Sequence, residues 1–545
     1  MKKIIGLLLT AIMLCSFTAC RGKPVGGNTP SDKPTISLRY YEAGYGTAYM
    51  EAQIEAFNAR AQKGEYDFYV SGYPDPGIVT NFQSLLTQAK DSDKVILPDV
   101  VLCPEISSNE LALRGYVENL NSLWNTEVES AASPSGKMTI EDKIAYPELK
   151  RKYSFTGAYY GIPLMGASTG IIYNKKLFKE YGLSVPQTMA EMWKLLEDID
   201  NLQRNSDSSV NNDIKAIVYP SMAIEYWDYI TNAYWGQLLG VSAMDDYFDL
   251  NNIDTKVVEY QNCYEAVFNN ISTFGSKGPA GANAYTTASS HTYTLAAFAQ
   301  QKALMTICGD WTKNEIGAIM SIEDIGFMPV PLICDVNTKK VIAKATPSSE
   351  VFAGVDMSDA KAVKNVENKY FKVAINNVDA SVVPAEDKDA DYIYFHKVMS
   401  TNLGKMEGVV PAKAKNKEYA KQFLAYLVSD EALEIYYSMT GSWLPYKYEY
   451  TEEDAKADGL PEFSISAQQI VDYNAVIAPR YTSKGRVYGF LNPMQGITSS
   501  YIIELLENTT TANALYTSIK KNILSAYASL ADDIALYERN NEVSY

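Results

Sequence analysis

Histidine is almost missing from this chain. Its two copies, His291 and His396, stand far apart and in no ligand spacing, so neither an imidazole metal centre nor a histidine-based triad has a sequence basis. No CxxC pair and no Walker-type glycine loop occurs, which removes the familiar redox and phosphate-cradling motifs. Basic residues are outnumbered by acidic ones, 48 to 65, for a formal charge of −17. That balance disfavours nucleic acid and anionic membranes as partners and is compatible with a neutral ligand. Beyond the N-terminus no run approaches the roughly 20 apolar residues of a spanning helix. Cysteines are few: Cys103, Cys263, Cys308 and Cys334 fall in the folded part, enough for one or two disulfides in an oxidising compartment, with no pairing set by the sequence. Carboxylates are so numerous that two at glycosidase distance would carry little weight.

What is present is length, tyrosine and alternation. At 545 residues the chain is too long for one core, and two lobes are expected. The 41 tyrosines each offer a flat apolar face with a polar tip, which suits sugar or peptide surfaces, although for most of them a half-buried core position is the better reading. Lys2 and Lys3 precede a short apolar run, 4–14, and then Phe17-Thr18-Ala19-Cys20. This is a secretory leader, and the small residues before Cys20 resemble a lipoprotein cleavage box, with Phe17 standing where an aliphatic residue is usual. Residues 1–19 are therefore read as a signal peptide, Cys20 as the lipidation site, and 20–34 as a Gly/Pro-rich tether that cannot bury apolar area. Attached acyl chains would add about 0.8 kcal/mol per buried methylene to membrane anchoring. Removing residues 1–19 takes away two lysines and no acid, so the mature charge is −19.

From Thr35 strands and helices alternate. Strands are expected at 36–40, 66–70 and 98–102, and helices through Met50, Ile54 and Phe57 and over 81–90. Such alternation builds a mostly parallel, two-sided sheet, and ligands bind such sheets beyond the carboxyl ends of the strands. Tyr41, Glu42, Tyr45 and Glu105 follow strand ends and are candidate contacts on that ground, although each taken alone reads more readily as a solvated loop residue. Further on, 170–173 reads as a buried strand and 175–181 as an amphipathic helix stopped by Gly182. Thr188 and Glu191 form a capping-box pattern before the next helix.

That stretch carries a specific, ungapped pattern: Gly157, Tyr160-Gly161-Ile162-Pro163, Tyr173-Asn174-Lys175, Phe178, Gly182-Leu183, Pro186, Thr188 and Glu191. It resembles the family 1 extracellular solute-binding proteins of bacterial sugar transporters. A second stretch agrees: Phe298, Ala303, Met305, then Gly309-Asp310-Trp311. The segment 98–120, the run Gly408-Val409-Val410-Pro411, and Gly441-Ser442-Trp443-Leu444-Pro445 also follow the family's thread. The resemblance implies an α/β, two-lobed periplasmic-binding-protein-like fold (type II). Each lobe would be a mostly parallel sheet flanked by helices, with three crossing segments. It places 35–164 plus 332–440 in the first lobe and 165–331 plus 441–545 in the second. Residues 325–331 would make the second crossing, and 441–445 the third. Residues 335–400 fit the family poorly and are read as an insertion elaborating the first lobe. The tail is expected to be helical over 497–508 and 512–537.

The resemblance also implies where a ligand sits. Trp311 is expected to stack on a sugar ring, and Asp310 to bond hydroxyls or cap the following helix. In the helix expected over 223–239, Tyr226 and Trp227 match positions where the family stacks aromatics, while Trp235 reads equally as core. Trp443 lies near the hinge, packed or ligand-facing, and Tyr488, Phe490 and Met494 border the ligand in relatives. The function implied is capture of a carbohydrate, an oligosaccharide above all, by hinge closure. The captured solute would pass to ABC-transporter permease subunits, with no catalysis, no cofactor, no metal, and a monomeric, lipid-anchored, extracytoplasmic protein. A binding protein for a peptide or polyamine, and a surface glycoside hydrolase, are the alternatives.

Overall fold

The computed structural model describes residues 32–477 and 503–521, apart from 43, 105, 147, 156, 205–213, 221–223, 241–256, 276–277, 279–283, 288–289, 402–405, 474, 508 and 519–520. The leader and Cys20, Glu105, the three residues named between 488 and 494, and most of the expected tail helices lie outside the described residues.

The chain opens with β1 (Thr35–Tyr40), α1 (Ala48–Gln62), β2 (Tyr69–Pro74), α2 (Ile78–Asp91) and β3 (Val100–Pro104). Each strand lies within four residues of its expected place. In β1, Ile36, Leu38 and Tyr40 are buried and the residues between them are not, the period-2 signature of a strand with one face on the core. β2 and β3 pair with β1 in parallel. The short β4 (Ile162–Pro163) follows, then β5 (Thr169–Asn174), α3 (Lys175–Glu180) and α4 (Met189–Arg204). Here the local signals act as expected. The Asn174 side chain accepts from the Leu177 amide (2.9 Å) to start α3. Gly182 takes φ +65° just past its end, a conformation that costs a side chain dearly. Thr188 Oγ1 accepts from the Glu191 amide, while the Glu191 carboxylate reaches back one residue further than in a capping box, to the Gln187 amide.

β6 (Lys215–Pro220), α5 (Asp228–Leu239), α6 (Val257–Ser272), β7 (Ala284–Thr287), α7 (His291–Ala299), β8 (Ala303–Gly309), α8 (Thr312–Ile316) and β9 (Ile325–Met328) come next. Then follow the hairpin β10 (Tyr370–Ala374) and β11 (Tyr392–His396), β12 (Val398–Ser400), β13 (Met406–Val409), α9 (Lys417–Tyr426), α10 (Asp430–Thr440), α11 (Glu462–Tyr473) and β14 (Ala475–Ile477).

Two five-stranded sheets result, β2-β1-β3-β13-β4 and β7-β6-β8-β5-β9. Each has three parallel strands, then one strand from a distant part of the chain running antiparallel, then an antiparallel edge. The same order occurs twice, so each sheet is a lobe built on one plan. The strand that intrudes in each sheet, β13 in the first and β5 in the second, stands next to a point where the chain changes lobe. All seven β8 residues are buried, as befits the middle of a sheet covered on both faces.

Three expectations are corrected. First, residues 335–400 pack on the second lobe, not the first. The Lys344 amide donates to the Gln237 carbonyl at the end of α5, Thr169 Oγ1 of β5 donates to the Ser400 carbonyl, and Asn270 of α6 donates to the Cys334 carbonyl (2.8 Å). Second, 325–331 is not a crossing. β9 is the edge strand of the second sheet, and the return to the first falls between Thr401, bridged to Ser168, and Met406 of β13. The disulfides that the sequence left open do not form among the described cysteines: Cys103, Cys263, Cys308 and Cys334 are all free and buried. Third, the last passage lies later than 441–445. Pro445 and Lys447 still hydrogen-bond residues 143–145 on the first lobe, and α11 then packs on β9.

A candidate solute site at the junction of the lobes

The loop after β1 and the turn after β8 meet between the two sheets. The Tyr45 hydroxyl, from the first lobe, donates to Asp310 Oδ1 (2.5 Å), from the second. Asp310 Oδ2 accepts from Ser442 Oγ (2.9 Å) and from the Ser168 amide (2.9 Å), and the Asp310 amide donates to the Ser168 carbonyl. The Trp443 indole donates to Ser168 Oγ (3.2 Å). One carboxylate thus ties together both lobes and the first chain passage, at Ser168. Asp310 is 2% exposed. Burial pushes its carboxyl up from the usual range, opposed by the donors Tyr45, Ser168 and Ser442 and by the charge of Lys313. Burial pulls the Lys313 ammonium down to about 8 against the attraction of Asp310, and its Nζ donates to Ser464 Oγ. Burial, and then the negative charge of Asp310, push the Tyr45 phenol well above its ordinary value.

Trp311 follows Asp310 directly and is 6% exposed. Tyr226 and Tyr229 meet its ring edge-on, with centroids 6.5 and 6.2 Å away. The first-lobe residue Gly44, at φ +81°, lies against the indole: a Cβ there would sit 3.1 Å from Trp311 Cδ1. Gly309 makes room for the indole, because a Cβ on it would lie 2.0 Å from Trp311 Cζ3. The indole is thus packed between Tyr226 and Tyr229 of its own lobe and Gly44 of the opposite one.

The other expected residues divide. Tyr226 is half-buried and stacks on His291 (4.6 Å, 22° between planes). Trp227 does not share its surface. Residues 224–227 form a 3-10 turn rather than the first turn of an α-helix, and Trp227 packs against Tyr219 and Phe274 at 1% exposure. Trp227 is a core residue, as is Trp235, edge-on to Tyr264. Tyr41 and Glu42 are half-buried in the β1 loop; the Tyr41 amide donates to the Leu102 carbonyl, and the Glu42 carbonyl accepts from the Tyr45 amide. Trp443 is 5% exposed and lines a cavity of about 450 Å³ with Tyr146, Tyr437, Tyr446, Tyr448 and Tyr450. Those five tyrosines and the junction serine Ser168 escaped the sequence reading, and Ser442 was marked only as part of the run 441–445. The alternating Tyr446, Tyr448 and Tyr450 were the available signal, since period 2 puts them on one face.

Two sheets of this strand order, joined by repeated chain passages, define the type II periplasmic-binding-protein-like fold. A model of the bacterial extracellular solute-binding proteins matches residues 52–462, and the chain belongs to that family. The multiple sugar-binding protein of Streptococcus mutans is 46% identical over 48 residues, which is 9% of this chain and 11% of that one. Among solved structures, the GacH receptor of Streptomyces glaucescens aligns with a TM-score of 0.55 at 13% identity, covering 91% of this chain and 98% of its own; it was studied unliganded and with acarbose. A chitin oligosaccharide binding protein aligns at 0.56 and 15%, covering 91% and 100%. UgpB from Mycobacterium tuberculosis, in complex with glycerophosphocholine, aligns at 0.55 and 13%, covering 91% and 99%. Among the described residues no helix is long and apolar enough to cross a membrane.

Proposed function

We propose that this protein captures a carbohydrate, an oligosaccharide above all, between its two lobes and hands it to the permease of an ABC importer. The observation that carries this reading is Trp311, a large indole at the lobe junction flanked by Tyr226 and faced by the opposite lobe. Pyranose C–H faces stack on aromatic rings, and Asp310, Tyr45 and the junction serines supply partners for hydroxyls once the lobes part. A glycan that bridges both lobes gains contacts in the closed state that the open state lacks, so it shifts the population toward closure. The tyrosine-lined cavity beside Trp443 offers a second aromatic surface suited to further rings of a longer glycan. No bond is broken in this account, and the mature chain works as a monomer held at the membrane by a lipid on Cys20.

Isothermal titration of the mature protein against malto-, xylo- and chito-oligosaccharides, with mass analysis of the recovered glycan, tests it. The expected result is micromolar or tighter binding with the glycan returned intact. Cleaved glycan would favour the hydrolase alternative. Binding of a peptide, a polyamine or a zwitterionic phosphodiester, with no glycan binding, would place the ligand in another class.

A further inference from the structure

Sequence spacing offers no metal pattern, yet the fold gathers one beside Tyr226. His291 begins α7, Cys308 lies near the end of β8 and Glu315 sits in α8. Their imidazole nitrogen, sulfur and carboxylate oxygen all lie within 4.8 Å of one another. His291 Nε2 stands 2.9 Å from Glu315 Oε2. Zinc bonds of about 2.0–2.3 Å set neighbouring tetrahedral ligands roughly 3.3–3.7 Å apart, so the trio needs an adjustment of about 1 Å to close on an ion. Nitrogen, sulfur and carboxylate together suit a borderline-soft cation; calcium and magnesium would require an all-oxygen shell. The His291 ring is already oriented by its stack on Tyr226. Cys308 is fully buried, whereas the His291 and Glu315 side chains are 19% and 28% exposed, so an ion can enter from that side.

We propose that His291, Cys308 and Glu315 form a Zn2+ site with its fourth position open to water. Coordination requires the thiolate, so the ion enters as the Cys308 thiol proton leaves to solvent. The ion ties α7, the end of β8 and α8 together, and through His291 it fixes the ring of Tyr226 beside Trp311. The site stands independently of what solute the cleft holds.

Titration of the chelator-treated mature protein with Co2+, followed by Zn2+, tests the site. The expected result is one equivalent of Co2+ giving a thiolate-to-metal charge-transfer band in the near ultraviolet, bleached by one equivalent of Zn2+. Cys308→Ser abolishes the band, and Cys334→Ser retains it. Removing outer partners of metal sites costs 10–100-fold in affinity. Loss of a ligand in His291→Gln is therefore expected to weaken Co2+ binding at least about 100-fold. Absence of the band in the parent, its survival in Cys308→Ser, or parental affinity in His291→Gln overturns the site. Should Cys308→Ser fail to fold, the partly exposed His291→Gln decides by itself.

Discussion

Replacing Tyr45 by Phe isolates the contact that spans the lobes. The ring stays, with its edge contact to Tyr436 (6.1 Å, 64°), and only the hydroxyl is lost. That hydroxyl donates to Asp310 at 2.5 Å and lies 3.0 Å from Ser442 Oγ. Hydrogen bonds to charged groups contribute about 1.5–3 kcal/mol. Two donors to the carboxylate remain, Ser442 Oγ and the Ser168 amide, so Asp310 is not stranded and the lower end applies. About 1.5 kcal/mol is roughly a 10-fold shift in an equilibrium. The equilibrium affected is closure, because Tyr45 follows β1 of the first sheet and Asp310 follows β8 of the second. Small-angle X-ray scattering of unliganded Tyr45→Phe should therefore give a larger radius of gyration than the parent. Its solute affinity should fall by up to that factor, in proportion to the loss of the closed population. The denaturant midpoint should move little: Tyr45 and Ser442 each give their one hydroxyl proton to Asp310, so the first lobe loses only the oxygen–oxygen approach between them. An unchanged radius of gyration together with unchanged affinity refutes the reasoning, as does a lowered midpoint with no change in shape.

Trp311→Ala should abolish measurable glycan binding in calorimetry and, because the indole is buried, lower stability by about 3–5 kcal/mol in denaturant unfolding. Gly309→Ala forces a methyl into the Trp311 ring; it should cost about 1–3 kcal/mol by the same measurement and weaken glycan binding in parallel. With its folded cysteines free, the protein should keep its melting temperature when reductant is added; a drop would reveal a disulfide. Burial lowers His396 below its ordinary 6.5, opposed by the Lys397 carbonyl and aided by the charge of Lys369. The unfolded chain thus binds this proton more readily than the folded one, so the contribution is intact above about pH 6.5 and is lost as pH falls below it. The melting temperature should decline on acidification from pH 7 to 5.5, and His396→Gln should decline less.

The parts of the fold legible in the sequence were those decided locally. Asn174, Gly182, Thr188 and Gly441 act through their own few residues, and each sits at a helix end as its chemistry demands. Strand positions followed from burial period. The side on which 335–400 packs depended on contacts such as Lys344 to Gln237 and Thr169 to Ser400, far apart in the chain, and no local pattern encodes them. Tyr226 and Trp227 were separated by one turn of 3-10 geometry, which rotates neighbours differently from an α-helix. Trp311 and Asp310 were marked by the Gly-Asp-Trp motif after a buried strand. Of their partners, Ser168 carries no signature and Ser442 was marked only as part of the run 441–445, because a lone serine is informative only once something is placed opposite it. The cluster of His291, Cys308 and Glu315 was hidden for the same reason: adjacent strand and helix ends bring it together, not spacing.

The most direct test of the account is a crystal structure with the tightest-binding glycan from the panel. A sugar ring stacked on the Trp311 indole, with hydroxyls bonded to side chains of both lobes and every glycosidic bond intact, is the predicted result. A glycan held by one lobe alone, or seated away from Trp311 and Tyr226, would contradict it.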